Sequence, residues 1–233
     1  MLPQLLQQYQ PDFSPVVPFD PANDRLSLLD FTETNTDLTA HVVEDTAVFS
    51  AYVSAQLEAA GARYGIGGYN EHRTVYSRSR VFDAPAGEEP RRLHLGIDIW
   101  GKAGTCVYAP LDGRVHSFAF NDRFGDYGAT IILQHRLEDQ LFHTLYGHLS
   151  VKDLDGLTEG KTIQAGELIA HFGEPAENGH WPPHLHFQLI VEMGENRGDY
   201  PGVCKFSERE NYLSNCPDPD LILDMMRFAV PAK

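Results

Sequence analysis

The apolar positions change period once along the chain, and that change organises it. Leu38, Val42, Phe49, Val53, Leu57 and Ala60 recur at helical spacing, behind Asn35, Thr36 and Asp37 and ahead of Gly61. This predicts an amphipathic helix of about six turns, started by the polar trio and stopped by the glycine, with its apolar stripe on the main body. From about Thr74 the period becomes two. The segments CVYAPLDGRVHSFAF, ATIILQH, QLFHTLYGHLS, KTIQAGELIAHFG and HLHFQLIV alternate with turn signals. Such a run predicts a mainly β fold with an antiparallel sandwich or barrel-like core. No phosphate-binding glycine loop occurs, and no βαβ alternation supports a parallel sheet. Residues 1 to about 34 are proline-rich (PDFSPVVPFDP) and predict an extended arm or wrapping loop. After Glu195 the chain becomes irregular, and LILDMMRF predicts one short helix. The expected organisation is an N-terminal arm and helix over 1–71, a β domain over 72–195, and a C-terminal extension over 196–233 packed on the core.

Composition narrows the function classes. The formal net charge of −15 argues against nucleic acid or an anionic membrane as partner. A chain of 233 residues buries enough surface to fold unaided, so a metal site here is expected to be functional rather than structural. Three cysteines give no disulfide framework and suit a reducing compartment; Cys204 and Cys216 could pair, but free thiols are the expectation. MLPQLLQQYQ carries no positive charge or sustained apolar run, so it does not read as a secretion signal, and a cytoplasmic location is expected.

Candidate chemistry lies on three strands. In LHLGIDIW, Leu93, Leu95, Ile97 and Ile99 alternate with His94, Gly96, Asp98 and Trp100. In HLHFQLIV, Leu185, Phe187, Leu189 and Val191 face the core, which leaves His184, His186 and Gln188 on the other side. QLFHTLYGHLS puts Tyr146 and His148 on one side. Alternation thus sets metal-competent groups opposite an apolar face. In a straight strand His94 and Asp98 stand roughly 13 Å apart at Cα, the limit of what two ligands to one ion span. Either the chain bends near Gly96 or His94 sits in the loop entering the strand. Two histidines and one carboxylate suit a catalytic zinc ion with an open fourth position; they can also form the facial triad of a non-haem iron oxygenase, a reading ranked last because it leaves His148 and His184 superfluous. The spacing alone does not choose between His184 and His186 as ligand.

HLGID, then YGH, then PPHLHF together resemble the lysostaphin-like zinc endopeptidases, which cut peptide cross-links of bacterial cell walls. The likeness spans about residues 72 to 192 and includes APLDGRV and GKTIQAGELIAHFG. It implies one zinc ion on His94, Asp98 and His186, with His148 and His184 in catalytic roles, and a peptide substrate of peptidoglycan type. Tyr76, upstream of His94, and Tyr146 are candidates for a phenol that donates to the oxyanion, with core or wall packing as the alternative for either; that family uses an upstream tyrosine. The ending CPDPDLIL is similar to an unexported branch in which this domain is joined to aminotransferase or small-molecule kinase domains. A non-catalytic binding module on the same fold is the competing reading. His41, His72, His116, His135, His143 and His171 read as surface or satisfied core residues. His180 reads first as a loop residue and second as a cleft wall, and Trp181 with its prolines as loop-shaping. Arg78 and Arg80 are expected in an exposed, solvated stretch, with a substrate carboxylate as the sharper alternative.

Overall fold

The computed structural model describes residues 1–231; the last two residues of the expected C-terminal extension lie outside that range. The elements in chain order begin with α1 (Leu2–Tyr9), β1 (Leu26–Leu28), α2 (Ala40–Glu44), α3 (Thr46–Ala60) and β2 (Tyr64–Gly67). They continue with β3 (Leu93–His94), β4 (Ile97–Trp100), β5 (Cys106–Tyr108), β6 (Gly113–Asn121), β7 (Gly128–Leu137) and β8 (Gln140–Leu149). The rest are β9 (Thr162–Ile163), β10 (Leu168–His171), β11 (His184–Ile190), β12 (Val203–Cys204), α4 (Arg209–Asn215), α5 (Asp220–Leu223) and β13 (Ala229–Pro231).

The fold is mainly β, as the period-two pattern predicts. Nine strands form one sheet in the order β13-β1-β2-β4-β11-β8-β7-β6-β9, and β10-β5 and β12-β3 form two small sheets. The sheet ends at β13 and β9, so no closed barrel results. From β2 to β9 the pairings are antiparallel, but β1 pairs in parallel with both β2 and β13. The parallel edge corrects the all-antiparallel expectation. β1, α2–α3 and β2 make a βαβ unit whose first strand is LSL, too short to show an alternation.

Alternation sorts the residues of the central strands. Ile97, Ile99, Leu185, Phe187 and Leu189 enter one core, with Leu2 and Leu6 of α1, Val16, Val17 and Val107 over them. The N-terminal segment is therefore packed and partly helical, not merely extended; α1 holds only Leu2 and Leu6 as its apolar stripe. On the opposite face Phe31, Val43, Phe49 and Val53 form a second core with Trp100 and Trp181, and Leu93, Leu95, Tyr127 and Leu145 a third with Cys204 and Cys216. All three cysteines are free. Among the described residues no helix is long and apolar enough to cross a membrane.

The expected six-turn helix is two helices. Asp45 leaves the helical region (φ −94°, ψ 119°), and its carboxylate accepts from the backbone N–H groups of Ala47 and Val48, starting α3 afresh. Gly61 closes α3 in the left-handed conformation, as expected of a helix-ending glycine. Asp45→Ala should lower the unfolding free energy by about 1 kcal/mol, with Asp45→Asn retaining most of it. Urea denaturation followed by circular dichroism measures the difference; equal stability of Ala and wild type would remove the capping role.

Candidate functional site

β4, β11 and β8 lie side by side in the sheet, with His186 paired to Asp98 on one side and Gly147 on the other. Their polar face looks away from the first core, into a cleft of about 410 Å³. The break the geometry demands between His94 and Asp98 is present: β3 ends at His94, β4 starts at Ile97, and Leu95–Gly96 turns the chain between them. Gly96 is fixed by close approach, since a Cβ there would lie 2.5 Å from His186 Cε1 and 2.8 Å from the Phe187 carbonyl oxygen.

Three donor atoms converge. His94 Nε2 lies 2.9 Å from His186 Nδ1 and 3.3 Å from Asp98 Oδ1, and His186 Nδ1 lies 3.1 Å from that same oxygen. The outward nitrogens are committed elsewhere. His94 Nδ1 donates to the Gly68 carbonyl (2.9 Å), and His186 Nε2 donates to Gln188 Oε1 (2.8 Å), whose amide nitrogen donates to the Pro201 carbonyl (3.2 Å). Both inward nitrogens therefore present lone pairs, and they face a carboxylate in a buried setting. A tetrahedral zinc ion with bonds near 2.0–2.1 Å sets its ligand atoms about 3.3 Å apart, close to the spacings here. The triad could hold a metal ion, and its unprotonated nitrogens fit one better than they fit each other.

The surroundings adjust the charge. Arg73, 1% exposed, donates from Nη1 to Asp98 Oδ2 (2.5 Å), from Nε to Glu71 (2.6 Å) and from Nη2 to the Gly67 carbonyl (3.1 Å). Burial alone would raise the Asp98 carboxyl, but His94 and Arg73 outweigh it and hold it well below the carboxylate range. Burial pushes His94 down to about 3, aided by the Arg73 guanidinium. It likewise takes His184 down to about 4, and His148 well below the imidazole range with His184 adding to the effect.

His148 and His184 stand beside the triad, ring centroids 4.1 Å apart. His148 Nδ1 donates to the Asn178 carbonyl and His184 Nδ1 to that of Pro182, each at 2.8 Å. Both Nε2 atoms are left as acceptors, that of His184 3.9 Å from Asp98 Oδ1. His184 also stacks on Trp100, 3.9 Å between centroids. Regular alternation would send His148 into the core behind Phe142, Thr144 and Tyr146. A left-handed residue (φ 63°), with a register shift on β7 between Ala129 and Ile131, turns it into the cleft instead.

Tyr146 therefore does not share a side with His148, contrary to expectation. It is buried in the first core against Phe187, its hydroxyl accepting from Thr144. Tyr76 lines the cleft, and its hydroxyl accepts from Arg73 (3.4 Å). Tyr127, which the sequence analysis did not single out, also lines it, with its hydroxyl 3.4 Å from His186 Nε2. Its only sequence signal is an aromatic in a turn before a strand. Trp181 is a cleft wall as well as a loop residue, whereas His180 is exposed and stacks on Phe124. Arg78 is buried rather than solvated, 4.6 Å from the Trp181 ring centroid. His135 and His143 are buried away from the cleft, on Thr144 and Gln134.

Residues 92–197 match the sequence profile of Peptidase family M23. Over that span the chain is similar to M23 peptidase domains. His94, Asp98, His148, His184 and His186 all fall inside the matched span. The DD-carboxypeptidase/endopeptidase Mpg of Neisseria meningitidis serogroup B is 33% identical over 131 residues, 54% of this chain and 27% of that protein. The L-Ala–D-Glu endopeptidase of Bacillus subtilis is 28% identical over 133 residues, 55% of this chain and 39% of that protein. The chain thus spans well under half the length of these relatives. Among solved structures, lysostaphin of Staphylococcus simulans is 24% identical with a TM-score of 0.43, over 69% of this chain and 50% of that one. Arg73 and Tyr76 line the cleft but lie upstream of the matched span.

Gln188→Leu should weaken zinc affinity about 10- to 100-fold by freeing the His186 ring, since outer hydrogen bonds orient metal-binding imidazoles. Competition with a chromophoric chelator reads it; unchanged affinity in a folded variant would mean the amide does not orient His186.

Proposed function

We propose that this chain is a zinc-dependent metallopeptidase that hydrolyses a peptide bond in a cell-wall-type peptide. His94, Asp98 and His186 are the proposed ligands, and His148 and His184 the proposed catalytic pair. The observation that carries the reading is the convergence of two unprotonated imidazole nitrogens and a carboxylate oxygen on a cleft floor that two further imidazoles adjoin. When bound, zinc supplies Lewis acidity towards the substrate carbonyl and lowers the pKa of its water.

The protein's own groups divide the remaining work. The Nε2 atoms of His148 and His184 are the acceptors beside the triad, so one takes the attacking water's proton and the pair returns a proton to the leaving nitrogen. The Tyr76 and Tyr127 hydroxyls are the donors on hand for the developing oxyanion; burial raises both phenols and keeps them protonated. Trp100 fixes the His184 ring by stacking, which preserves its aim. The relatives' names, a DD-carboxypeptidase/endopeptidase and an L-Ala–D-Glu endopeptidase, support peptidoglycan-type peptides as the substrate class. Two histidines with one aspartate also suit iron, but an iron oxygenase has no use for the second imidazole pair.

Metal analysis should give about one zinc per chain. Digestion of a peptide library, scored by mass spectrometry, should show cleavage that stops on chelation and returns with zinc. His184→Ala should keep the metal and lose hydrolysis by a factor of about 10² or more. Full activity of that variant on a confirmed substrate would overturn the assigned roles, and iron with oxygen-dependent turnover would overturn the reaction class.

A further inference from the structure

We infer that the cleft selects peptides bearing a free carboxylate near the bond to be cut, and that Arg80, Arg91 and Arg123 read it. The identity of the ligand as a peptide rests on the function proposed above; the anion preference rests on the cleft itself. In a chain of net charge −15, three arginines besides the ion-paired Arg73 line the same cavity that has Asp98, His184 and His186 at its floor. Among the described residues, none of the three has a carboxylate within 4.0 Å, whereas Arg63, Arg73, Arg92, Arg197, Arg209 and Arg227 each do.

Their settings differ usefully. Arg91 is half-buried; one guanidinium N–H donates to the Val81 carbonyl, and the plane lies 5.5 Å from the Phe82 ring centroid, which leaves other N–H groups free in a fixed orientation. Arg80 and Arg123 are exposed at the wall. Asp126 and Asp199 also line the cavity, beside Tyr127 and Tyr200; burial raises both carboxyls, and Arg91 and Arg123 counter it without contact. Arg80 is not among the charges that act on either aspartate. A guanidinium with free paired N–H groups binds a carboxylate in a two-point, charge-assisted contact that an amide does not match. Arg78, the other arginine singled out in the sequence, has no part in this. Its Nη2 donates to Thr46 and to the His180 carbonyl, and it lies under Trp181 rather than on the cavity.

The chain has two tryptophans, Trp100 and Trp181, and both line this cavity, so intrinsic fluorescence reports on it directly. The zinc-loaded His184→Ala protein is titrated with acetyl-Ala-Glu-amide, acetyl-Ala-Gln-amide and acetyl-Ala-Gln with a free C-terminus. One of the acids should bind about tenfold tighter than the neutral amide. Which acid does so tells a side-chain carboxylate from a terminal one. Arg80→Gln/Arg123→Gln should bring that acid to the affinity of the amide, in zinc-loaded and chelator-treated protein alike. Equal binding of acids and amide, no binding of either acid, a preference that survives Gln at all three arginines in a folded protein, or one that needs the metal, would each overturn the inference. None of these readouts requires hydrolysis. Selective binding by a wild-type protein that cuts nothing would therefore sink the peptidase reading and leave this one standing.

Discussion

Two imidazole lone pairs and a carboxylate oxygen packed within 3.3 Å of one another, on side chains no more than 3% exposed, form an arrangement that only a cation or added protons relieve. Most of the surrounding structure is legible as a response to that constraint. The Gly68 carbonyl and the Gln188 amide oxygen take the outward N–H of each imidazole and so dictate which nitrogen turns inward. Arg73 occupies the second oxygen of Asp98, leaving a single oxygen for the centre. Gly96 exists where His186 leaves no room for a side chain.

Sheet geometry delivers the parts. On β4 and β11 strict alternation is enough: every second residue enters the first core, and the others are Asp98, Trp100, His184, His186, Gln188 and, in the third core, Ile190. His94 and His148 reach the same site by breaking the rule, one through the turn at Leu95–Gly96 and the other through a left-handed backbone within β8. Both irregularities sit at the site, a setting in which displaced backbone commonly re-aims a side chain.

What the sequence disclosed follows the same division. Long strands with clean periodicity, β6, β7, β8 and β11, were readable, and so were the side chains they set on one face. The need for a bend near Gly96 followed from strand rise alone. The choice of His186 over His184 did not, because it depends on which ring nitrogen each neighbour engages. Tyr146 was set beside His148 because a single left-handed residue leaves no trace in a hydrophobicity pattern. Asp45 was absorbed into a longer helix since its neighbours keep the helical period on both sides. The parallel edge was invisible because β1 is three residues long and its partners lie far away in the chain. Arg73 and Tyr127 were missed for a different reason: nothing in a lone arginine or a turn tyrosine marks it as the neighbour of a centre built elsewhere.

The segment resembling M23 domains starts at residue 92, yet Gly68, Arg73 and Tyr76 precede it. So does β2, which covers the outer margin of β4. A fragment trimmed to the recognisable span would keep all five histidine and aspartate candidates while losing the carbonyl that fixes one ring tautomer and the guanidinium that balances the carboxylate. It would also leave β4 with an unpaired row of amides and carbonyls, an open invitation to strand-to-strand aggregation. The boundary of what is similar and the boundary of what is self-sufficient do not coincide in this chain.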